Sequence, residues 1–259
     1  MVCLTLGVSS ASAATVDPAH VGNDISWPQC GKALPTGQAF GIVGINGGLA
    51  NNTNPCFGAE LDWANRSVRT TGQDAVALYV NTANPGLTGS WWPTSNEYPV
   101  GSGNYVQVPA QYAGPCTGQD TAACAYVYGY AKAYDDVKLR LGTAPQAAPA
   151  ASYLWWLDVE TTNSWETNKT ANLADLEGMT SYFTGISARV GIYSTGYQWA
   201  VITGTPKSTP LSGLPDWVPG ARSLKGAQSN CKSTAFTPGS RITVTQYTSG
   251  LLDYDWSCI

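Results

Sequence analysis

The chain has 259 residues, a net charge of -4 and a single histidine, His20. With 12% charged residues it lacks the basic footprint that nucleic-acid binding needs, so no nucleic-acid partner is expected. One histidine ahead of the first strand gives no support to Ser-His-Asp or Cys-His catalysis, nor to a histidine-built metal site. Catalysis here must rest on carboxylates, tyrosines and amides, with no cofactor and no metal.

Met1 to Ala13 reads as the end of a secretory signal: a short apolar stretch, then small residues ending in Ala11-Ser12-Ala13. Residues 14–259 then form one domain, and no other stretch approaches a membrane span. Removing the signal removes Cys3 and leaves six cysteines, an even count that reads as three disulfides in an exported chain. Of the fifteen pairings, Cys30–Cys56, Cys116–Cys124 and Cys231–Cys258 are favoured because each closes a local loop.

Short apolar strands alternate with amphipathic stretches. The expected strands are 22–26, 40–46, 75–81, 153–160, 189–194, 216–218, 242–247 and 252–256. Helical spacing marks 60–69, 122–141 and 171–186, the last with Leu173, Leu176, Met179 and Phe183 on its buried stripe. Gln29 to Gln38 is too short and too rich in Gly and Pro for a full first helix. Thr82 to Thr121 is a long aromatic loop following the third strand, which in a barrel puts it at the C-terminal rim. Eight strands in one domain of this size predict an α/β fold, a (β/α)₈ TIM-type barrel modified by a reduced set of helices.

The fourth strand carries the chemistry. An apolar run, Tyr153 to Leu157, leads into Asp158-Val159-Glu160, and alternation points both acids to the same face. A plain strand end with two solvated acids reads the same way. Asp24 sits on the first strand and Asp255 on the last. In a closed barrel these two strands are neighbours, so Asp24 and Asp255 flank each other and face the Asp158/Glu160 pair. Tyr193 and Gln246 end two later strands, and Asn46 is the polar side chain ending the second. Trp27, Trp91, Trp92 and Trp156 are candidates for stacking on sugar rings, with core positions as the alternative for each.

These segments resemble family 25 glycoside hydrolases, the muramidase-type lysozymes. Gly22, Asp24 and Ser26 match the family's opening Gly-x-Asp-x-Ser, and Asp158 and Glu160 match its Asp-x-Glu. Gly191-Ile192-Tyr193-Ser194 and Gln246-Tyr247-Thr248-Ser249 resemble two further strands, Trp217 a third, and Asp255 the closing aspartate. The second strand departs: Gly44-Ile45-Asn46-Gly47-Gly48 stands where the family has Lys-Ala-Thr-Glu-Gly.

The resemblance implies a glycosidase acting on peptidoglycan or a related polysaccharide; the chain is expected to be a monomer, secreted and extracellular or cell-wall associated. It assigns Glu160 as general acid, as the sequence does independently. Asp158 would stabilise positive charge or orient an N-acetyl group, and Asp24 and Asp255 would hold water, Glu160 or sugar hydroxyls. A non-catalytic carbohydrate- or cell-wall-binding barrel is the competing expectation, made credible by the lost Lys and Glu.

Overall fold

A computed structural model describes residues 19–259, so the signal-like segment and Cys3 lie outside the described residues. Eight strands close into a barrel in sequence order: β1 (Val21–Ile25), β2 (Gly41–Gly44), β3 (Val76–Asn81), β4 (Leu154–Asp158), β5 (Arg189–Tyr193), β6 (Asp216–Ala221), β7 (Ile242–Ser249) and β8 (Leu252–Ser257). Strands β1 to β7 run parallel to their sequence neighbours. The last strand breaks this rule, because β8 is antiparallel to both β7 and β1. The cause is chain length. Ser249 pairs with Leu252 across Gly250-Leu251, and a parallel crossover needs a dozen or more residues. Gly250 takes the left-handed conformation (φ 66°) that such a tight turn uses.

Five helices flank the strands among the described residues: α1 (Phe57–Ala64), α2 (Ala122–Asp135), α3 (Lys169–Gly185), α4 (Gly196–Thr203) and α5 (Leu224–Asn230). The last two are short pieces that the apolar spacing did not announce. What starts them is capping: the side chains of Thr195 and Ser223 accept from the backbone N–H of Gln198 and Gly226. Thr121 and Asn168 cap α2 and α3 likewise. The first helix is missing, as its composition demands. In its place is one 3₁₀ turn, Trp27–Gln29, in which the Gln29 side chain accepts from Ser26 N–H at 3.0 Å. A disulfide from Cys30 to Cys56 ties that turn to the start of α1. Cys116–Cys124 and Cys231–Cys258 are also joined.

Alternation along β4 divides the core into two layers. Trp155, Leu157 and Val159 face outward into the layer that Leu176, Met179 and Phe183 of α3 cover. Trp155 stacks on Phe183 with centroids 4.6 Å apart. Trp156 faces inward with Phe40, Ile42, Ala77, Trp217 and Val244 to fill the barrel. Two glycines make the room this aromatic filling needs. A Cβ on Gly191 would lie 2.3 Å from the Trp156 ring, and one on Gly44 would lie 2.4 Å from the Tyr79 ring. Trp156 is therefore a core residue with 1% exposure, which corrects its assignment as a sugar-stacking side chain.

Candidate active site

Above this aromatic floor lies a pocket of about 350 Å³. It opens at the C-terminal ends of β1 to β7, where barrel enzymes build their sites. Of the residues singled out in the sequence, Asp24, Asp158, Glu160, Tyr193 and Gln246 line it. Tyr79, Trp217 and Asp253 line it as well.

Asp158 is the last residue of β4, buried and inward-facing. The strand was expected to reach Glu160; it stops two residues earlier, although Val159 N–H still reaches the Tyr193 carbonyl at 2.9 Å. Glu160 thus sits just past the strand end, half-buried at the pocket mouth. Asp158 Oδ2 accepts from Asn81 Nδ2 at 2.8 Å. Gln198 is turned by Thr161, whose N–H and hydroxyl both donate to Gln198 Oε1. That leaves the Gln198 amide to hydrogen-bond the Glu160 carboxyl.

Burial is the main reason both acids titrate high. The Glu160 charge pushes Asp158 up further, whereas hydrogen bonds from Gln198 and Asp158 ease Glu160 back. The two carboxyls are best treated as one pair sharing a proton.

A second acid pair closes the barrel seam. Asp24 and Asp255 hydrogen-bond each other. Gln246 Nε2 donates to Asp24 Oδ2 at 2.8 Å, Tyr193 Oη donates to Gln246 Oε1 at 3.0 Å, and Trp217 Nε1 donates to Asp255 Oδ1 at 2.9 Å. Burial first, then the charge of Asp253, pushes the Asp24 carboxyl up to about 7. Burial and the Asp24 charge raise Asp255 well above the carboxylate range.

Asp255 itself is fully buried and does not line the pocket. Because β8 runs downward, Asp253 pairs with Asp24 at the pocket level and Asp255 pairs with Gly22 one layer deeper. Asp253 is the pocket acid that sequence reading passed over, although the same period of two marks it.

Three further assignments move. Asn46 has 1% exposure and does not line the pocket; its amide bonds Asp136, Asn52 and Asn81 instead. Trp91 and Trp92 belong to a cluster on α2, not to the pocket. Trp91 stacks on Tyr128 at 5.9 Å with Lys132 Nζ 5.0 Å from its ring, and Trp92 stacks on Tyr128 at 5.3 Å. The long loop consequently packs on α2, and none of its residues lines the pocket. Trp27 is different. It is 47% exposed and lines an open groove with Gly47, Asn51, Asn52, Thr53 and Pro55, beside the pocket residues Ser26 and Pro28.

Comparison with known proteins fits this geometry. The family model described as Lysozyme-like protein 1 matches residues 147–217, the stretch that carries Asp158, Glu160 and Tyr193. A curated relative, the probable GH family 25 lysozyme 4 of Dictyostelium discoideum, is 33% identical over 95 residues. That match takes in 37% of this chain and 42% of the relative, so it spans less than half of either. Solved muramidases from Trichobolus zukalii and Acremonium alcalophilum are each 17% identical, with TM-scores of 0.53 and 0.55. A family GH25 lysozyme from Aspergillus fumigatus is 14% identical with a TM-score of 0.55. Each alignment covers 92% of this chain and 93% of the other. The likeness to the solved structures is one of fold, and the chain is similar to family 25 lysozymes as a divergent relative.

Proposed function

We propose that this chain is an exported, monomeric glycosidase that cleaves a cell-wall glycan, peptidoglycan or a related polysaccharide, with Glu160 and Asp158 as the reacting carboxyls. The observation that carries the reading is the pair itself: two hydrogen-bonded acids at the end of β4, both lining one pocket at the barrel mouth. The motif order and the lysozyme-like match over 147–217 support it. Three disulfides suit an oxidising compartment, and no helix among the described residues is long and apolar enough to cross a membrane.

In this reading Glu160, nearer solvent, delivers the shared proton to the glycosidic oxygen. Asp158, held by Asn81, becomes the carboxylate that faces the developing oxocarbenium charge or steers an N-acetyl group. Asp24 and Asp253 accept hydrogen bonds from sugar hydroxyls, and Gln246 and Tyr193 keep Asp24 oriented. Trp27 supplies the apolar face on which a neighbouring ring of the polymer rests.

The test is sugar release from cell-wall preparations and purified polysaccharides by the wild type and by Glu160→Gln. Release by the wild type alone supports the reading. Retention on a glycan without release by either protein replaces it with the binding barrel.

A further inference from the structure

Asn46 lies two residues past the end of β2, in a segment that differs from the resembling family, and it does not line the pocket. It is instead the middle of a continuous chain of hydrogen bonds. Arg140 Nη1 donates to Asp136 Oδ1 at 2.9 Å, and Asn46 Nδ2 donates to the same oxygen at 3.0 Å. Asn46 Oδ1 accepts from the backbone N–H of Asn81 at 2.8 Å. The side chain of Asn81 then donates to Asp158 Oδ2 at 2.8 Å. Asn81 is the last residue of β3 and pairs in register with Asp158.

The polarity at Asn46 is fixed by its neighbours. The Asn81 N–H can only donate, so the Asn46 oxygen must face it and the Asn46 NH₂ must face Asp136. Asp136 sits on a single π-helical turn, Asp136–Arg140, that follows α2; such turns often mark functional positions. Arg140 also donates to the Asn52 carbonyl at 3.2 Å, which ties the groove beside Trp27 to the same ion pair. Asp136, Asn46 and Arg140 are all buried, so water does not compete for these bonds.

We infer that Asn46 and Asp136 are positioning residues that act through Asn81 to hold Asp158 Oδ2 and turn its other oxygen toward Glu160 and the pocket. This rests on Asp158 being the carboxylate of the reacting pair. The charged and titratable groups facing Asp158 are Glu160 on its own segment, Asp24 from β1, Tyr79 from β3 and Tyr193 from β5. Those facing Asp136 are Asp135, Arg140, Lys132 and Tyr128.

The experiment is carboxyl NMR titration of the unliganded protein, which needs no substrate and so fails or succeeds apart from the glycosidase assignment. Asn46→Ala frees Asn81, weakens its bond to Asp158 and raises the Asp158 titration by about one pH unit. The Asp24–Asp255 pair, which the network does not touch, moves less than Asp158. The exchanged variant Asn46→Asp/Asp136→Asn reverses the donor and acceptor across one bond while preserving net charge, and it returns Asp158 to the wild-type curve. An unmoved Asp158 in Asn46→Ala overturns the inference, as does a shift shared equally by Asp24 and Asp255. If Asn46→Ala does not fold, the exchanged variant decides alone: a wild-type curve supports the network and a displaced one contradicts it.

Discussion

Asp24 and Asp255 share a hydrogen bond across the β1–β8 seam, and among the described residues no basic group eases either carboxyl. Two carboxyls in contact inside a protein hold at least one proton between them. Asp24 then reaches the pocket while Asp255 anchors on Trp217 Nε1 one layer below. The same arrangement recurs at Asp158 and Glu160, so these four acids act as two pairs rather than as independent groups.

Stability should accordingly fall as pH rises. Asp24 and Asp136 titrate at about 7 when folded, and at the ordinary aspartate value when unfolded. The folded state therefore binds more protons through that window, and its advantage is complete below about 4 and lost by about 7. Thermal melting should give a lower Tm at pH 8 than at pH 5. Asp255→Asn, which keeps the hydrogen bond and removes one acid, should flatten the slope. A Tm that rises toward pH 8 would count against the shared protons.

Trp27 and Trp156 separate binding from folding. Trp156→Ala empties the barrel interior beneath the pocket and should cost ~3–5 kcal/mol of stability. Trp27→Ala removes an exposed ring and should leave Tm unchanged while weakening glycan binding by roughly 1 kcal/mol, a severalfold loss. Calorimetric melting beside a polysaccharide-retention assay measures both. A destabilised Trp27→Ala with intact binding would remove Trp27 from the substrate path.

Gly44 tests how the site is shaped. Its missing side chain is the space that Tyr79 occupies, with Ser26 Cβ 2.7 Å from where a Cβ would stand. Gly44→Ala should push Tyr79 into the pocket and cost ~1–3 kcal/mol through overpacking, with activity lost alongside. Full activity at wild-type stability would mean that the pocket floor tolerates movement.

Much of this was legible in the chain because β4 and β5 are buried on both faces and so read as apolar runs. Asp158 and Glu160 announced themselves as the first charges after such a run. The order of Asp24, Asp158, Tyr193 and Gln246 along the strands then set the pocket. What stayed hidden depended on partners rather than on residue type. Trp91 and Trp92 look like sugar platforms in sequence, but both stack on Tyr128 of α2, and Lys132 lies over Trp91. Asn46 and Asn81 look like unremarkable amides until the register of β3 against β4 joins them to Asp158. Asp253 was obscured because β8 runs antiparallel, which inverts which of its acids stands at the mouth.

The central claim is that Glu160 is the proton donor of a glycosidase, and glycan release from bacterial cell walls by the wild type beside Glu160→Gln tests it most directly. Removing the donor should lower the rate by ~10²-fold or more, with folding and glycan binding retained. Equal release by both proteins would contradict the account.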